Sequence, residues 1–343
     1  MPQLSPLSLT LPKNTVLELA QDKSIRAPKS FLACLKHEAW SDTKRSIDAL
    51  VEKDLYATHP PQHYWYRINN EMGIFDGFLT GVELDENQAT ISTHEEVLPE
   101  RVSLFSDYLT EINRQAEPLL LVHESPDFSE QLKAKICHRT PDFHFQLEQE
   151  HHQLWVIPEE ERDSLESFSK HTTQFHLADG HHRLASTQQW AVQQGQTGVA
   201  LSFVLASDQL ENKSFMWAIR GTTMPEGLSE FFVKYSPKLP IWAQTKEKFY
   251  SIEVPPQQNP VLYLYQTVLA NTIDSLTTRI DYFPQGNLSP LERKNYAVIF
   301  GYNALEVDEI IALAKQGKRL PPKSTYIHPK LITGLFLAPL STA

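Results

Sequence analysis

Residues 175–183 of this 343-residue chain read Phe-His-Leu-Ala-Asp-Gly-His-His-Arg and form its densest polar cluster. The apolar run at 174–178 predicts a buried strand, a glycine follows at 180, and residues 183–194 predict a helix. The N–H groups at a helix N-terminus carry partial positive charge, and phosphate groups commonly bind there. The sequence therefore predicts a strand–glycine–helix junction that suits an anionic ligand.

Each polar residue of this stretch has a chemical use at such a junction. Gly180 lets the backbone come close to a ligand because it has no side chain. His181, His182 and Arg183 add hydrogen-bond donors and positive charge. Asp179 can hold a metal ion or cap the helix. A simpler interpretation is a capped helix start whose histidines are satisfied by the protein itself, and the short motif leaves both open.

Strand and helix patterns alternate along the rest of the chain, which predicts a mixed α/β (α+β) fold. Apolar periodicity predicts helices at residues 30–55 (broken near 40–42), 99–115, 183–194, 260–273 and 304–315. Strands are predicted at residues 63–68, 78–84, 119–122, 153–157, 174–178, 201–206 and 296–300. Residues 221–260 are dense in proline and give no clear pattern. We divide the chain into three α/β segments, residues 1–85, 86–210 and 211–343.

Composition and charge restrict the classes of function. The chain has 31 Lys+Arg and 42 Asp+Glu, and a net charge of −11 argues against nucleic acid or an anionic membrane as partner. Hydrophobic residues make up 41%, enough for a core, yet no apolar run reaches the ~18 residues that suggest a transmembrane helix. The chain shows no secretory signal, and Cys34 and Cys137 lack metal-ligand spacing. A cytoplasmic location is therefore expected.

Two further polar clusters could carry chemistry. Residues 91–97 contain His94 and Glu95 just before a predicted helix. A carboxylate there can act as a general base toward a hydroxyl, although acidic residues also favour helix N-termini for structural reasons. Residues 318–330 are the most basic stretch, and there Lys323, Ser324 and Thr325 can bind phosphate or a small carboxylate unless they form a solvated loop. Phosphate-binding P-loop, dinucleotide, zinc-protease and nucleophile-elbow motifs are absent.

Taken together, the three clusters resemble one family, the free serine kinases of the ParB/sulfiredoxin-like fold, and a related bacterial group that carries a domain of unknown function. The resemblance covers about residues 60–340 and depends on the order and spacing of four stretches: 94–122, 154–157, 177–183 and 321–334. It implies a ParB/sulfiredoxin-like nucleotide-binding core with N-terminal and C-terminal α/β additions. The bacterial group usually carries an N-terminal Pro-Pro-Tyr-Asp segment that this sequence lacks, so the N-terminal segment, residues 1–85, is expected to be shortened or diverged.

The resemblance also implies an activity, a kinase that transfers phosphate from ATP or ADP to the hydroxyl of free L-serine or a similar small metabolite, with Mg²⁺. Two alternatives belong to other classes. One is a nucleotide-dependent switch of the ParB type, which needs a helix-turn-helix and a basic face that the sequence does not show. The other is a related protein that binds a small molecule without catalysis.

Under this resemblance, each candidate residue receives a role. Glu95 is the catalytic base, and Asp179 is catalytic as a ligand of Mg²⁺, directly or through water. The nucleotide phosphates are bound by Gly180, His181, His182 and Arg183. The substrate or phosphate loop consists of Lys323, Ser324 and Thr325, and Trp217 lies on the substrate side.

Overall fold

The computed structural model describes residues 1–13, 40–84, 90–147, 149–273, 280–286, 288–289 and 293–340. The portion of the first predicted helix at 30–39, with Cys34, lies outside the described residues. The chain forms two compact units. Unit 1 comprises residues 1–93, 97–210 and 329–343, and unit 2 comprises residues 94–96 and 211–328. The three-segment division at residues 85 and 210 remains a prediction.

The described residues alternate between strands and helices. The strands are β1 (Leu4–Ser5), β2 (Thr10–Pro12), β3 (Tyr56–Thr58), β4 (Tyr64–Asn70), β5 (Gly73–Leu84), β6 (Ile91–Ser92), β7 (Arg114–Gln115), β8 (Leu119–His123), β9 (Phe143–Leu147), β10 (Glu150–Val156), β11 (Phe175–Asp179), β12 (Gly198–Ala206), β13 (Glu211–Lys213), β14 (Phe215–Arg220), β15 (Phe232–Lys234), β16 (Ile241–Gln244), β17 (Phe249–Ile252), β18 (Ile280–Pro284), β19 (Tyr296–Tyr302), β20 (Tyr326–His328) and β21 (Ala338–Pro339). The helices are α1 (Trp40–Glu52), α2 (Pro99–Ile112), α3 (Pro126–Ile136), α4 (Glu159–His171), α5 (His181–Gln194), α6 (Pro260–Tyr263) and α7 (Val307–Lys315), and a π-helix, Leu264–Leu269, continues α6.

Unit 1 is built on a nine-stranded mixed sheet. Its strand order is β6-β11-β8-β12-β5-β4-β10-β9, and β1 also pairs with β5. The pairs β6/β11 and β8/β12 are parallel, whereas the others are antiparallel. Strands β8 and β12 are buried along their whole length, as expected for central strands with mainly apolar sequences.

One glycine sets how closely two central strands of this sheet approach. A Cβ atom added to Gly77 on β5 would lie 2.2 Å from the Val204 carbonyl oxygen on β12. No side chain fits there, so the glycine is required by the pairing itself. Strand β11 lies between β6 and β8 and leads directly into α5, which packs against α2. This packing fixes the direction in which the N-terminus of α5 points within unit 1.

Unit 2 contains a six-stranded antiparallel sheet with the order β15-β17-β16-β19-β14-β18. The proline-dense segment 221–260 holds three of these strands, β15 to β17, which are only three or four residues long; prolines lie between β15 and β16 and after β17. On β14, which lies between β19 and the edge strand β18, Trp217 is fully buried and pairs with Tyr282 of β18 and Phe300 of β19.

The predicted mixed α/β fold is confirmed, with local differences. The helix predicted over 99–115 ends at Ile112, because Asn113 adopts a left-handed conformation with φ of 54° that terminates the helix. The predicted helix over 260–273 is α6 followed by the π-helix. Helices α3 and α4 were not predicted; α4 has a mainly polar sequence in which only Leu165, Phe168 and Ser169 are buried. None of the helices in the described ranges has the length and hydropathy of a membrane span.

Candidate functional site

The predicted strand–glycine–helix junction is present in unit 1. Strand β11 ends at Asp179, and α5 begins at His181, two residues before the predicted start. Gly180 has a φ of 106°, and its carbonyl accepts the Leu184 N–H at 2.9 Å. A Cβ atom at Gly180 would lie 2.9 Å from the Leu119 side chain and 3.1 Å from the Arg183 guanidinium carbon. Both the backbone conformation and the packing therefore require glycine here.

Asp179 binds two cations. Its Oδ1 accepts from Lys330 Nζ at 2.8 Å, and its Oδ2 accepts from Arg183 Nη2 at 2.6 Å. Burial opposes ionisation of Asp179, but the positive charges of Lys330 and Arg183 outweigh it and hold the pKa of this carboxyl well below its usual range. Asp179 is therefore an ionised carboxylate whose two oxygens are both engaged.

Arg183 is held by acidic partners on two sides. Besides Asp179, its Nη1 pairs with Glu117 Oε1 at 2.9 Å and donates to the Pro118 carbonyl. Glu117 Oε2 in turn accepts the Thr333 hydroxyl at 2.7 Å. Two cations and two anions alternate in this cluster, so their formal charges cancel. An added phosphate would have to exchange with one of these carboxylates or use the backbone N–H groups of α5.

This arrangement does not fit the predicted role of Asp179 as a direct magnesium ligand. Mg²⁺ is bound through carboxylate oxygens in a strict octahedral geometry. Both oxygens of Asp179 already accept hydrogen bonds from cations. The contacts instead assign Asp179 a positioning role, in which it orients Lys330 and Arg183 at the start of α5.

The two histidines of the motif differ in their surroundings. His181 is buried at the first position of α5. His182 Nε2 accepts the backbone N–H of Leu98, which precedes α2, at 3.1 Å. Because Nε2 serves as the acceptor, the proton of a neutral His182 lies on Nδ1. His182 therefore also connects the starts of two helices of unit 1, which is the simpler role considered for it above.

We expect Asp179→Asn to weaken the pH dependence of stability. The folded-state pKa of Asp179 lies below the unfolded value of about 3.9, so its ionisation stabilises the fold at neutral pH. That contribution is lost as the pH falls below about 4 toward the folded-state pKa. Urea unfolding at pH 7, 5 and 3 should show the wild type and Asp179→Asn converging at low pH. Asp208→Asn, at an exposed site, serves as the control and should retain the wild-type profile. If the free energies of unfolding of the wild type and Asp179→Asn differed by the same amount at all three pH values, the ion pairs would not explain the effect.

In unit 2, two predicted clusters that are far apart in sequence meet at Glu95. The Lys323 backbone N–H donates to Glu95 Oε1 at 2.9 Å, across 228 positions of sequence. The Thr325 hydroxyl lies 3.5 Å from Glu95 Oε2 and 3.2 Å from His94 Nε2. The Leu320 N–H also donates to the His94 carbonyl, forming a parallel bridge between the two segments. Glu95 is therefore fixed by both backbone and side-chain contacts.

The loop over residues 321–325 has a strained and tightly bonded backbone. Lys323 has a φ of 61°, which is unfavourable for a residue with a side chain. Its carbonyl accepts the Trp217 indole N–H at 3.0 Å, and the Tyr302 hydroxyl donates to the Ser324 carbonyl at 3.0 Å. The Lys323 ammonium lies 5.8 Å from the Phe215 ring centre. The Ser324 hydroxyl donates to the Pro321 carbonyl at 2.6 Å and is buried, so it holds the loop together.

Sequence reasoning missed several residues around these sites. Lys330 lay within the basic stretch but was not selected, because its partner Asp179 is 151 positions away. Three tyrosines surround Trp217 edge to face, with ring centres 5.4–6.0 Å away: Tyr265, Tyr282 and Tyr302. The sheet register pairs Trp217 with Tyr282 alone, and the contacts with Tyr265 and Tyr302 depend on tertiary packing that no local pattern indicates.

The fold and these sites define a mixed α/β protein with a strand–glycine–helix junction in unit 1 and an anchored carboxylate, Glu95, in unit 2. The sequence matches the family described as "Protein of unknown function (DUF1015)" over residues 28–210, a little over half of the chain. The chain belongs to this family. No curated protein matches it.

Solved structures with similar folds share little sequence with this chain. SbnI with C-terminal truncation from Staphylococcus aureus has a TM-score of 0.50 at 14% identity and covers 76% of this chain and 87% of its own. A free serine kinase in complex with AMP has a TM-score of 0.44 at 17% identity, with coverage of 75% and 91%. A conserved hypothetical protein from Pyrococcus furiosus has a TM-score of 0.39 at 16% identity, with coverage of 75% and 95%. The similarity to SbnI supports the fold.

Proposed function

We propose that this protein is a small-molecule kinase that transfers a phosphoryl group from ATP or ADP to the hydroxyl of free L-serine or a similar small metabolite. The contact between Glu95 and the 321–325 loop carries the proposal. A strained loop, fixed by Trp217 and Tyr302, uses a backbone N–H to hold one carboxylate oxygen in place. Strain at such a position is typical of functional sites. The motif resemblance supplies the reaction and the acceptor.

The proposed reaction needs one proton acceptor, and Glu95 takes that role. The acceptor hydroxyl oxygen forms a bond to the terminal phosphorus of the nucleotide. The bond from that phosphorus to the bridging oxygen breaks, and the nucleotide leaves with one phosphate fewer. The hydroxyl proton passes to the Glu95 carboxylate. Phosphoryl transfer depends mainly on positioning and charge stabilisation, so a fixed base fits its requirements.

The nucleotide phosphates are assigned to the junction of β11 and α5. Backbone N–H groups at the start of α5 supply donors for a phosphate, and Gly180 supplies the left-handed turn from which the helix begins. Lys330 and Arg183 supply positive charge once a phosphate replaces one of their carboxylate partners. Mg²⁺ would neutralise charge on the phosphates when bound, and we assign no residue of this chain to it.

The activity is tested by incubating the purified chain with Mg²⁺, ATP or ADP, and a panel of hydroxyl metabolites. Mass spectrometry should detect serine with one added phosphoryl group, and nucleotide with one fewer. Glu95→Gln is the matched inactive variant. Nucleotide binding without transfer to any acceptor would favour the non-catalytic alternative. A thermal shift without response to millimolar ATP or ADP would contradict both functions, because a ligand at about 100 times its Kd raises stability by about 2.7 kcal/mol.

A further inference from the structure

Strand β9 is an edge of the nine-stranded sheet in unit 1, and its outer side is open. Its sequence, Phe-His-Phe-Gln-Leu over residues 143–147, contains no proline and no Lys, Arg, Asp or Glu. The strand pairs with β10 on one side, and within the described ranges no backbone hydrogen bond reaches it on the other side. The outward N–H and C=O groups of such an edge can pair with another strand.

The other edges of the two large sheets carry features that natural proteins use against such pairing. In unit 1 the opposite edge is β6, which is only two residues long. In unit 2 the edge strand β15 ends at the exposed Lys234, and the edge strand β18 ends at Pro284, which has no N–H. Strand β9 has none of these features, so it is the edge that favours a partner strand.

The side chains of β9 alternate between the two faces of the sheet. Phe145 is buried, and the Phe143 ring packs against Tyr64, with ring centres 6.5 Å apart. On the opposite face, His144 and Gln146 are exposed. A strand that adds to β9 must keep its apolar residues on the Phe145 face, because a shift of one residue would turn them all to the other face. The alternation therefore limits the registers in which a second strand can add.

A second copy of β9 satisfies this pattern when it pairs antiparallel about Phe145. In that register, Phe145 lies opposite the partner's Phe145, and Phe143 lies opposite the partner's Leu147. His144 lies opposite the partner's Gln146, so the exposed face carries polar pairs. Each hydrogen-bonded residue pair exchanges two N–H···O bonds, which gives about four to six bonds across the five residues. The sequence of β9 is thus self-complementary, as a two-fold interface requires.

Charge also favours this segment over the rest of the surface. The chain has a net charge of −11, so two copies repel each other wherever acidic surfaces meet. Strand β9 itself has no acidic or basic side chain. Asp142, which precedes it, directs its carboxylate to β10, where it accepts the Val156 N–H at 2.7 Å, and it also lies 3.7 Å from Arg139 Nη1. The paired residues therefore add no charge repulsion of their own.

We propose that the protein forms a two-fold symmetric dimer in which β9 of one copy pairs antiparallel with β9 of the other, centred on Phe145. The two nine-stranded sheets thereby join into one continuous sheet. A single pair of strands is a small interface, so the dimer is reversible and depends on protein concentration. The inference concerns assembly and does not depend on the proposed kinase function.

Mass and hydrogen exchange test the dimer in the unmodified protein. Sedimentation equilibrium from about 1 µM to about 1 mM covers the dissociation constants expected of a small interface. The average mass should rise from that of the monomer toward twice that value. Amide exchange should slow over residues 143–147 as the concentration rises, and it should stay constant in the interior strand β4. A chain that remains monomeric over the whole series would overturn the proposal.

Charged substitutions test the interface at two exposed side chains, His144 and Gln146. His144→Lys/Gln146→Lys places lysine opposite lysine in both polar pairs, and like charges directly opposite each other are destabilising. We expect the dimer Kd to rise by at least about tenfold, which corresponds to about 1.4 kcal/mol, and to recover in part at high salt. Gln194→Lys/Gln196→Lys adds the same charge at exposed positions near the end of α5 and should keep the wild-type Kd.

A charge-swap variant tests the register. His144→Glu/Gln146→Lys places the new glutamate opposite the partner's new lysine in both polar pairs, so the dimer should be at least as stable as in the wild type. In an antiparallel register shifted by two residues, the same variant would place like charges opposite each other. Circular dichroism checks that both variants remain folded. Dissociation of the charge-swap dimer, or an unchanged Kd of the folded double-lysine variant, would overturn the proposal.

Discussion

Glu95→Gln is expected to lower kinase turnover by about 10²–10⁴-fold while the protein stays folded. A positioned general base contributes that factor, which corresponds to about 3–5 kcal/mol of activation barrier. Glutamine has nearly the same shape, and its amide oxygen can still accept the Lys323 N–H, but it cannot take the hydroxyl proton. Steady-state assays at saturating serine and nucleotide measure the loss.

Two measurements make this expectation specific to the base. Urea unfolding and nucleotide binding of Glu95→Gln should remain close to wild type, since only the proton acceptor is removed. Glu253→Gln, an exposed carboxylate in the same unit, should keep full turnover. Normal turnover of Glu95→Gln in a protein with measurable kinase activity would show that another group accepts the proton.

Trp217→Ala is expected to destabilise the protein by about 3–5 kcal/mol, the usual cost of removing a large buried aromatic side chain. The indole is fully buried, contacts three tyrosine rings and donates to the Lys323 carbonyl. Its removal leaves a cavity and releases the loop that holds Glu95. Urea unfolding measures the stability, and turnover should fall in the fraction that remains folded.

Other tryptophan variants separate packing from hydrogen bonding. Trp217→Phe retains an aromatic ring but loses the indole N–H, so we expect about 1–3 kcal/mol of destabilisation. Trp242→Ala, in the same sheet, should cost less than Trp217→Ala because the Trp242 side chain is only half-buried. If Trp217→Ala were no more destabilising than Trp242→Ala, Trp217 would not be the anchor of the loop.

The local features of each candidate site could be predicted from sequence because they depend on nearby residues. The junction at Gly180 follows from an apolar run, a glycine and a helical pattern within about one helix length. The general-base hypothesis for Glu95 depended on the family resemblance, because its neighbours alone also fitted acidic residues at a helix N-terminus. The roles of the partners were harder to predict: the Ser324 hydroxyl proved to bind the Pro321 carbonyl inside its own loop, and His182 Nε2 proved to accept the Leu98 N–H.

The mixed α/β fold, the strand–glycine–helix junction and the acidic character of the chain could be predicted from the sequence alone, because periodicity, helix termini and charge are local or additive properties. Only the tertiary structure decided which groups neutralise one another and which converge. Asp179 and Lys330, which form an ion pair, are 151 positions apart in sequence. Glu95 and Lys323, whose backbone N–H donates to the Glu95 carboxylate, are 228 positions apart. The contact of Trp217 with Tyr282 likewise comes from the sheet register, and its contact with Tyr265 comes from the packing of the π-helix. Such contacts are set by packing of remote segments, and no local pattern of residues encodes which remote segments will meet.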